Sequence, residues 1–175
     1  MQASIAELEE VNRQTRVVGA LRDALQRCET LADIYAATCL HARSLIPGSS
    51  GALYAQAAGA PVTSDHLRQA TWGETRERSA SLNGDSCAAI ADGEPQRVRA
   101  GSRYADCDHV PEGFDGEYLC LPLAARGATL GALTMELPLD RPHGDAQWQL
   151  ALSMAQHVST AIADVKLRDM LRQQA

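Results

Sequence analysis

The first positions to show a period are Leu8, Val11, Thr15, Val18, Leu21 and Leu25, mostly apolar and spaced by three and four. That spacing predicts an amphipathic helix from Ala3 onward, close to a heptad seam. The turn-like Cys28-Glu29-Thr30 interrupts it near residues 26–31. Thr30 is placed to cap a second helix, with Asp33 as an acidic counterpart three residues on. That helix would bury Leu31, Ile34, Tyr35, Thr38 and Leu45 and stop at Pro47-Gly48. Shorter periods follow. Ser50–Ala57 and Leu67–Trp72 read as strands around a turn at 58–61, and residues 73–83 read as a polar loop or short helix. Asp85-Ser86-Cys87 opens a short helix that runs through Ala91 and stops at Gly93. A short strand at Gln96–Val98 and a polar loop over 101–116 come next. The strongest strands are Glu117–Ala124 and Leu130–Leu137, joined by a turn at 125–129. Asp145 caps a last helix whose apolar side carries Leu150, Met154, His157, Val158, Ala161, Ile162 and Val165. Helices at both ends and antiparallel strands between them predict an α+β domain with its helices on one face.

Strand alternation divides the two strong strands into faces. Leu119, Leu121 and Leu123 share one, the face expected to pack on the terminal helices; Tyr118, Cys120 and Pro122 share the other. In the next strand Leu133, Met135 and Leu137 oppose Thr134 and Glu136. A small polar and thiol-bearing face beneath long loops is how ligand cavities are built.

Composition narrows the class. A chain of 175 residues with 45% hydrophobic content is long enough for one domain with a real core. A net charge of −6, with no cluster of Lys and Arg, argues against nucleic acid as a partner. No apolar run reaches the ~20 residues that span a bilayer, and the polar N-terminus lacks the features of a secretion signal. A cytoplasmic location is therefore expected. Five cysteines in a reducing compartment are packing residues, metal ligands or reactive thiols rather than a disulfide frame. Cys28 and Cys39, on the first two helices, read as small buried hydrophobes.

The segment from Leu119 to Glu136, LCLPLAARGATLGALTME, resembles the closing hairpin of a GAF domain. Gly84 to Val98 is similar to that family's short helix and following strand, and the resemblance spans Leu31 to Val165. Trp72, Cys87, Cys107-Asp108-His109 and Tyr118–Pro122 resemble a GAF subgroup found N-terminal to GGDEF (diguanylate cyclase) domains. Leu167–Gln174 is similar to the helical linker that enters such domains. The resemblance implies a six-stranded antiparallel sheet, with N- and C-terminal helices on one face and a loop-covered pocket on the other. It implies residues 1–28 as a signalling and dimerisation helix, 29–165 as the GAF domain and 166–175 as the start of a linker. It also implies a homodimer through the terminal helices and a non-enzymatic sensor controlling a C-terminal output domain, a diguanylate cyclase.

The pocket residues expected on this basis are Trp72, Cys87, Tyr118, Cys120, Thr134 and Glu136. In the GAF arrangement the elements carrying Cys87, Cys107 and Cys120 converge. With His109 they form a tetrahedral set for zinc or another soft metal, and Asp85 or Asp108 could orient the imidazole. The same thiols also fit a redox sensor, with Cys107 resolving an oxidised Cys87. Cys87 and Cys107 further resemble the cysteines of free methionine-(R)-sulfoxide reductases, with Glu136 as an acid and Thr134 where that family has a second one. A structural dimerisation GAF without ligand is the remaining alternative. Bilin attachment is disfavoured, because Asp108 separates Cys107 from His109.

Overall fold

The computed structural model describes residues 2–56, 65–77, 79–99, 107, 109–114, 116–137 and 145–175. Four helices and six strands follow in the order α1 (Gln2–Gln26), α2 (Leu31–Leu45), β1 (Ser50–Ala55), β2 (His66–Trp72), β3 (Ser81–Leu82), α3 (Ala88–Asp92), β4 (Gln96–Arg99), β5 (Glu117–Ala125), β6 (Ala128–Leu137) and α4 (Asp145–Gln174). The strands form one sheet, β3-β2-β1-β6-β5-β4. All its neighbours run antiparallel. The α+β expectation is met.

Local chemistry explains the boundaries. The Thr30 hydroxyl accepts from the Asp33 amide at 3.1 Å, and the Asp33 carboxylate accepts from the Thr30 amide at 3.1 Å, a complete capping box for α2. Ala125 pairs with Ala128, so the hairpin turn is only Arg126-Gly127, both at positive φ (54° and 77°). Two such residues make the turn whose twist matches a tight hairpin, and the strands extend further than the apolar pattern suggested. β3 lies where the polarity of residues 73–83 indicated a loop; its two residues pair with His66 and Leu67 at the sheet edge.

Helices α2 and α4 pack on the sheet, and α1 packs on both of them. The helix-side core holds Leu119, Leu121, Leu123, Leu133, Met135 and Leu137 from the sheet, as alternation predicted. Leu150, Met154, Val158, Ile162 and Val165 of α4 complete it, while His157 and Ala161 are only half-buried. In α1, Leu21 and Leu25 enter this core, but Ile5, Leu8 and Val11 are exposed. A second cluster lies across the sheet: Ala52, Tyr54, Leu82, Cys87, Ala89, Val98, Cys107, Tyr118, Cys120 and Ala132.

Trp72 belongs to the helix-side core and not to the pocket face, which corrects its placement among the pocket residues. The cause is a bulge. Tyr54 pairs with Arg68 but Leu53 pairs with Ala70, so Gln69 is an extra residue in β2. The bulge reverses the alternation and turns Ala70 and Trp72 toward the helices. The indole Nε1–H donates to the Ser49 hydroxyl oxygen at 3.1 Å.

Candidate metal centre

The three elements under the loops bring their sulfurs together. Cys87 is the N-cap residue of α3, but its side chain makes no capping hydrogen bond. Its sulfur instead lies 3.2 Å from that of Cys120, on the central part of β5. His109 enters from the loop before β5, with Nε2 at 3.8 Å from the Cys120 sulfur. One ligand atom from each of Cys87, His109 and Cys120 lies within 4.8 Å of the others, and all three residues are buried. Cys107 borders this group, its sulfur accepting from the Ala88 amide at 3.3 Å, but it is not among the three whose ligand atoms converge. Of the four residues expected as metal ligands, the structure brings Cys87, Cys120 and His109 to one point and leaves Cys107 at its border.

The groups of the cluster perturb one another in opposite directions. Hydrogen bonds from Cys120 and Cys87 hold the Cys107 thiol well below its usual range; burial opposes them, and His109 and the Ala88 amide assist. The same contacts act in reverse on Cys120, which is pushed up by Cys107, Cys87 and its own burial. Burial works to lower His109, but hydrogen bonds to Cys107 and Cys87 outweigh it and raise the imidazole to about 9. A thiolate, further thiols and an imidazole are a donor set for a soft cation. With Zn–S near 2.3 Å, a tetrahedron needs sulfurs about 3.8 Å apart. The Cys87–Cys120 pair at 3.2 Å meets that by opening slightly.

The imidazole is anchored from behind. Its Nδ1 lies 2.9 Å from the phenol oxygen of Tyr118. Tyr118 in turn donates to the carboxylate of Glu77, which also accepts from Tyr54 at 2.6 Å. Burial, and then the nearby Glu77 charge, push both phenols up, so each keeps its proton. Arg76 joins the segment before β5 to the sheet: it donates to the Gly113 carbonyl at 3.3 Å and pairs with Glu136.

Of the other expected pocket residues, Thr134 is fully buried and opposite Cys120, its hydroxyl donating to the Ala52 carbonyl at 3.4 Å. Glu136, opposite Tyr118, is engaged by Arg76. Asp85 is exposed, while Asp108 lies outside the described residues. Glu77 and Tyr54 were not anticipated. Tyr54 stands beside Leu53 in a strand of loose alternation, and Glu77 falls in a polar stretch with no period that would mark a buried carboxylate.

The family model for the GAF domain matches residues 30–162, and the chain belongs to this family. Solved structures with the same fold include the GAF domain of an Acinetobacter phosphoenolpyruvate-protein phosphotransferase. Its TM-score is 0.70 at 14% identity, over 89% of this chain and 96% of that one. Free methionine-R-sulfoxide reductase from Neisseria meningitidis, in complex with its substrate, gives 0.71 at 10% identity, over 89% and 91%. The GAF-B domain of DevS from Mycobacterium smegmatis gives 0.58 at 19%, over 82% and 98%. No curated protein sequence matches the chain. Among the described residues, no helix is long and apolar enough to cross a membrane.

Proposed function

We propose that this GAF domain is a regulatory module that holds a soft metal ion, zinc in the first instance, through Cys87, Cys107, Cys120 and His109. The observation that carries the reading is the convergence of Cys87, Cys120 and His109 on one point, with the Cys107 sulfur at its border. Occupancy of the site would bias the packing of α1 and α4 and so govern an output domain C-terminal to α4. The resemblance of residues 167–174 to a cyclase linker supports a diguanylate cyclase in that role. Homodimerisation through the terminal helices is supported by the exposed Ile5, Leu8, Val11, Met170 and Leu171. A signal acts this way only by binding one helix arrangement better than the other.

Two contacts weigh against a sulfoxide reductase. Thr134 is spent on a backbone carbonyl, and Glu136 is paired with Arg76. The test is metal content per chain in protein purified anaerobically, without chelator or affinity metal. Near one zinc per chain, lost in Cys120→Ser and in His109→Ala, is the expected result. Metal-free protein whose thiols titrate freely in the native state would overturn it. Turnover of free methionine-R-sulfoxide abolished by Cys107→Ser would replace it with the enzymatic reading.

A further inference from the structure

The buried chain behind His109 has a direction that proton counting fixes. Tyr118 owns one hydroxyl proton and touches two partners, the Glu77 carboxylate and His109 Nδ1 at 2.9 Å. A carboxylate can only accept, so the phenol proton goes to Glu77. The phenol oxygen then presents a lone pair to Nδ1, and Nδ1 must carry a proton to make that contact. The neutral ring is thereby left with its lone pair on Nε2, the nitrogen that faces Cys120 at 3.8 Å. All three residues are buried, with exposures of 8% for Glu77, 1% for Tyr118 and 4% for His109, so water is a poor substitute for either partner.

We propose that Glu77 is the positioning residue of the metal centre, setting the ligating tautomer of His109 through Tyr118. This rests on the metal reading above and adds a residue that touches no ligand atom of the metal. When Nε2 binds a cation, the proton on Nδ1 is obligatory, Tyr118 must accept it, and the phenol proton then has Glu77 as its acceptor. Without Glu77, Tyr118 turns its proton onto Nδ1 and moves the ring proton to Nε2, where it blocks the metal. Partners of this kind are worth about 10–100-fold in metal affinity.

The experiment measures zinc affinity, by competition with a chromophoric chelator, for the full chain and four variants. Glu77→Leu removes the acceptor and should lose about 10–100-fold. Tyr118→Phe leaves Nδ1–H without an acceptor and should lose a similar amount. The double variant should be no weaker than the weaker single one, because both cut the same chain. Glu77→Gln should restore binding. Its amide oxygen serves Tyr118, while its NH2 donates to Tyr54, whose own proton passes to the Ser79 carbonyl 3.0 Å away. A general loosening of the fold would not produce that rescue. Histidine 15N spectra of the zinc-loaded protein should show His109 bound through Nε2 and protonated on Nδ1.

Losses in Glu77→Leu below about twofold, or additive losses in the double variant, would overturn the assignment. If the wild-type chain binds no zinc, the metal reading fails by itself, and the metal-free protein decides the role of Glu77. At alkaline pH, with the imidazole neutral, the ring proton should sit on Nδ1 in wild type and Glu77→Gln and on Nε2 in Glu77→Leu. A wild-type ring protonated on Nε2 would refute it.

Discussion

Replacing Gly51 by alanine tests how the sheet separates its two faces. Gly51 lies on β1 between Trp72 of β2 and Met135 of β6. A methyl group there would stand 2.6 and 2.7 Å from two carbons of the Trp72 indole and would also press on the Thr134 carbonyl oxygen. Carbon atoms pack best at about 3.5–4.0 Å, so each ring contact is short by about 1 Å. Neither neighbour yields cheaply. The carbonyl belongs to a central strand, and the indole is 1% exposed and tied to Ser49. Overpacking typically costs about 1–3 kcal/mol, and two fixed neighbours put Gly51→Ala near the upper end, ~3 kcal/mol. For a chain of this length Tm should fall by about 6–12 °C. Gly19→Ala is the matched control. It sits in α1 with nothing within 4 Å of the new methyl, and removing a mid-helix glycine should add about 0.5–1 kcal/mol. Calorimetry of the two variants reads opposite signs directly. If Gly51→Ala melted within about 2 °C of wild type, the packing of Trp72 against the helix-side core would be wrong.

Two further outcomes follow from local geometry. His66 is buried, its Nδ1 has no partner among the described residues, and burial followed by Lys166 lowers its pKa, against a smaller opposing effect of Asp65. Because the folded-state pKa lies below the unfolded value near 6.5, the stability tied to neutral His66 is complete above that pH and is lost as pH falls through the folded value. Urea melts at neutral and mildly acid pH should show a smaller loss in His66→Met than in wild type; equal losses would rule this out. Thr30→Ala removes one half of the capping box and should cost ~1 kcal/mol, whereas Thr30→Ser should not. Indistinguishable melting of the two variants would contradict the cap.

The division of β5 into a leucine face and a Tyr118–Cys120 face was legible because a half-buried strand writes its faces with a period of two. The approach of Cys87, Cys107, Cys120 and His109 was legible only through a family likeness, since these residues come from three separate elements. Trp72 was placed in the pocket by the family likeness alone, and the bulge at Gln69 leaves no mark in the pattern that would have moved it: His66, Arg68, Ala70 and Trp72 share a parity in sequence but not a face. Glu77 was invisible for another reason. Its burial depends on two phenols from β1 and β5 meeting over it, and nothing in residues 73–83 encodes that meeting.

The placement of Cys120 has a mechanical consequence. Its chain neighbours Leu119 and Leu121 are fully buried in the core on which α4 rests. The sulfur on one side of β5 and the leucines on the other share adjacent peptide units, so the sheet behaves as a diaphragm one residue thick. Movement of the strand at the thiol side is therefore also movement of the surface on which α4 rests. No relay of side chains across the molecule is required, and the stiffness of β5, hydrogen-bonded on both edges, sets how much of the displacement arrives.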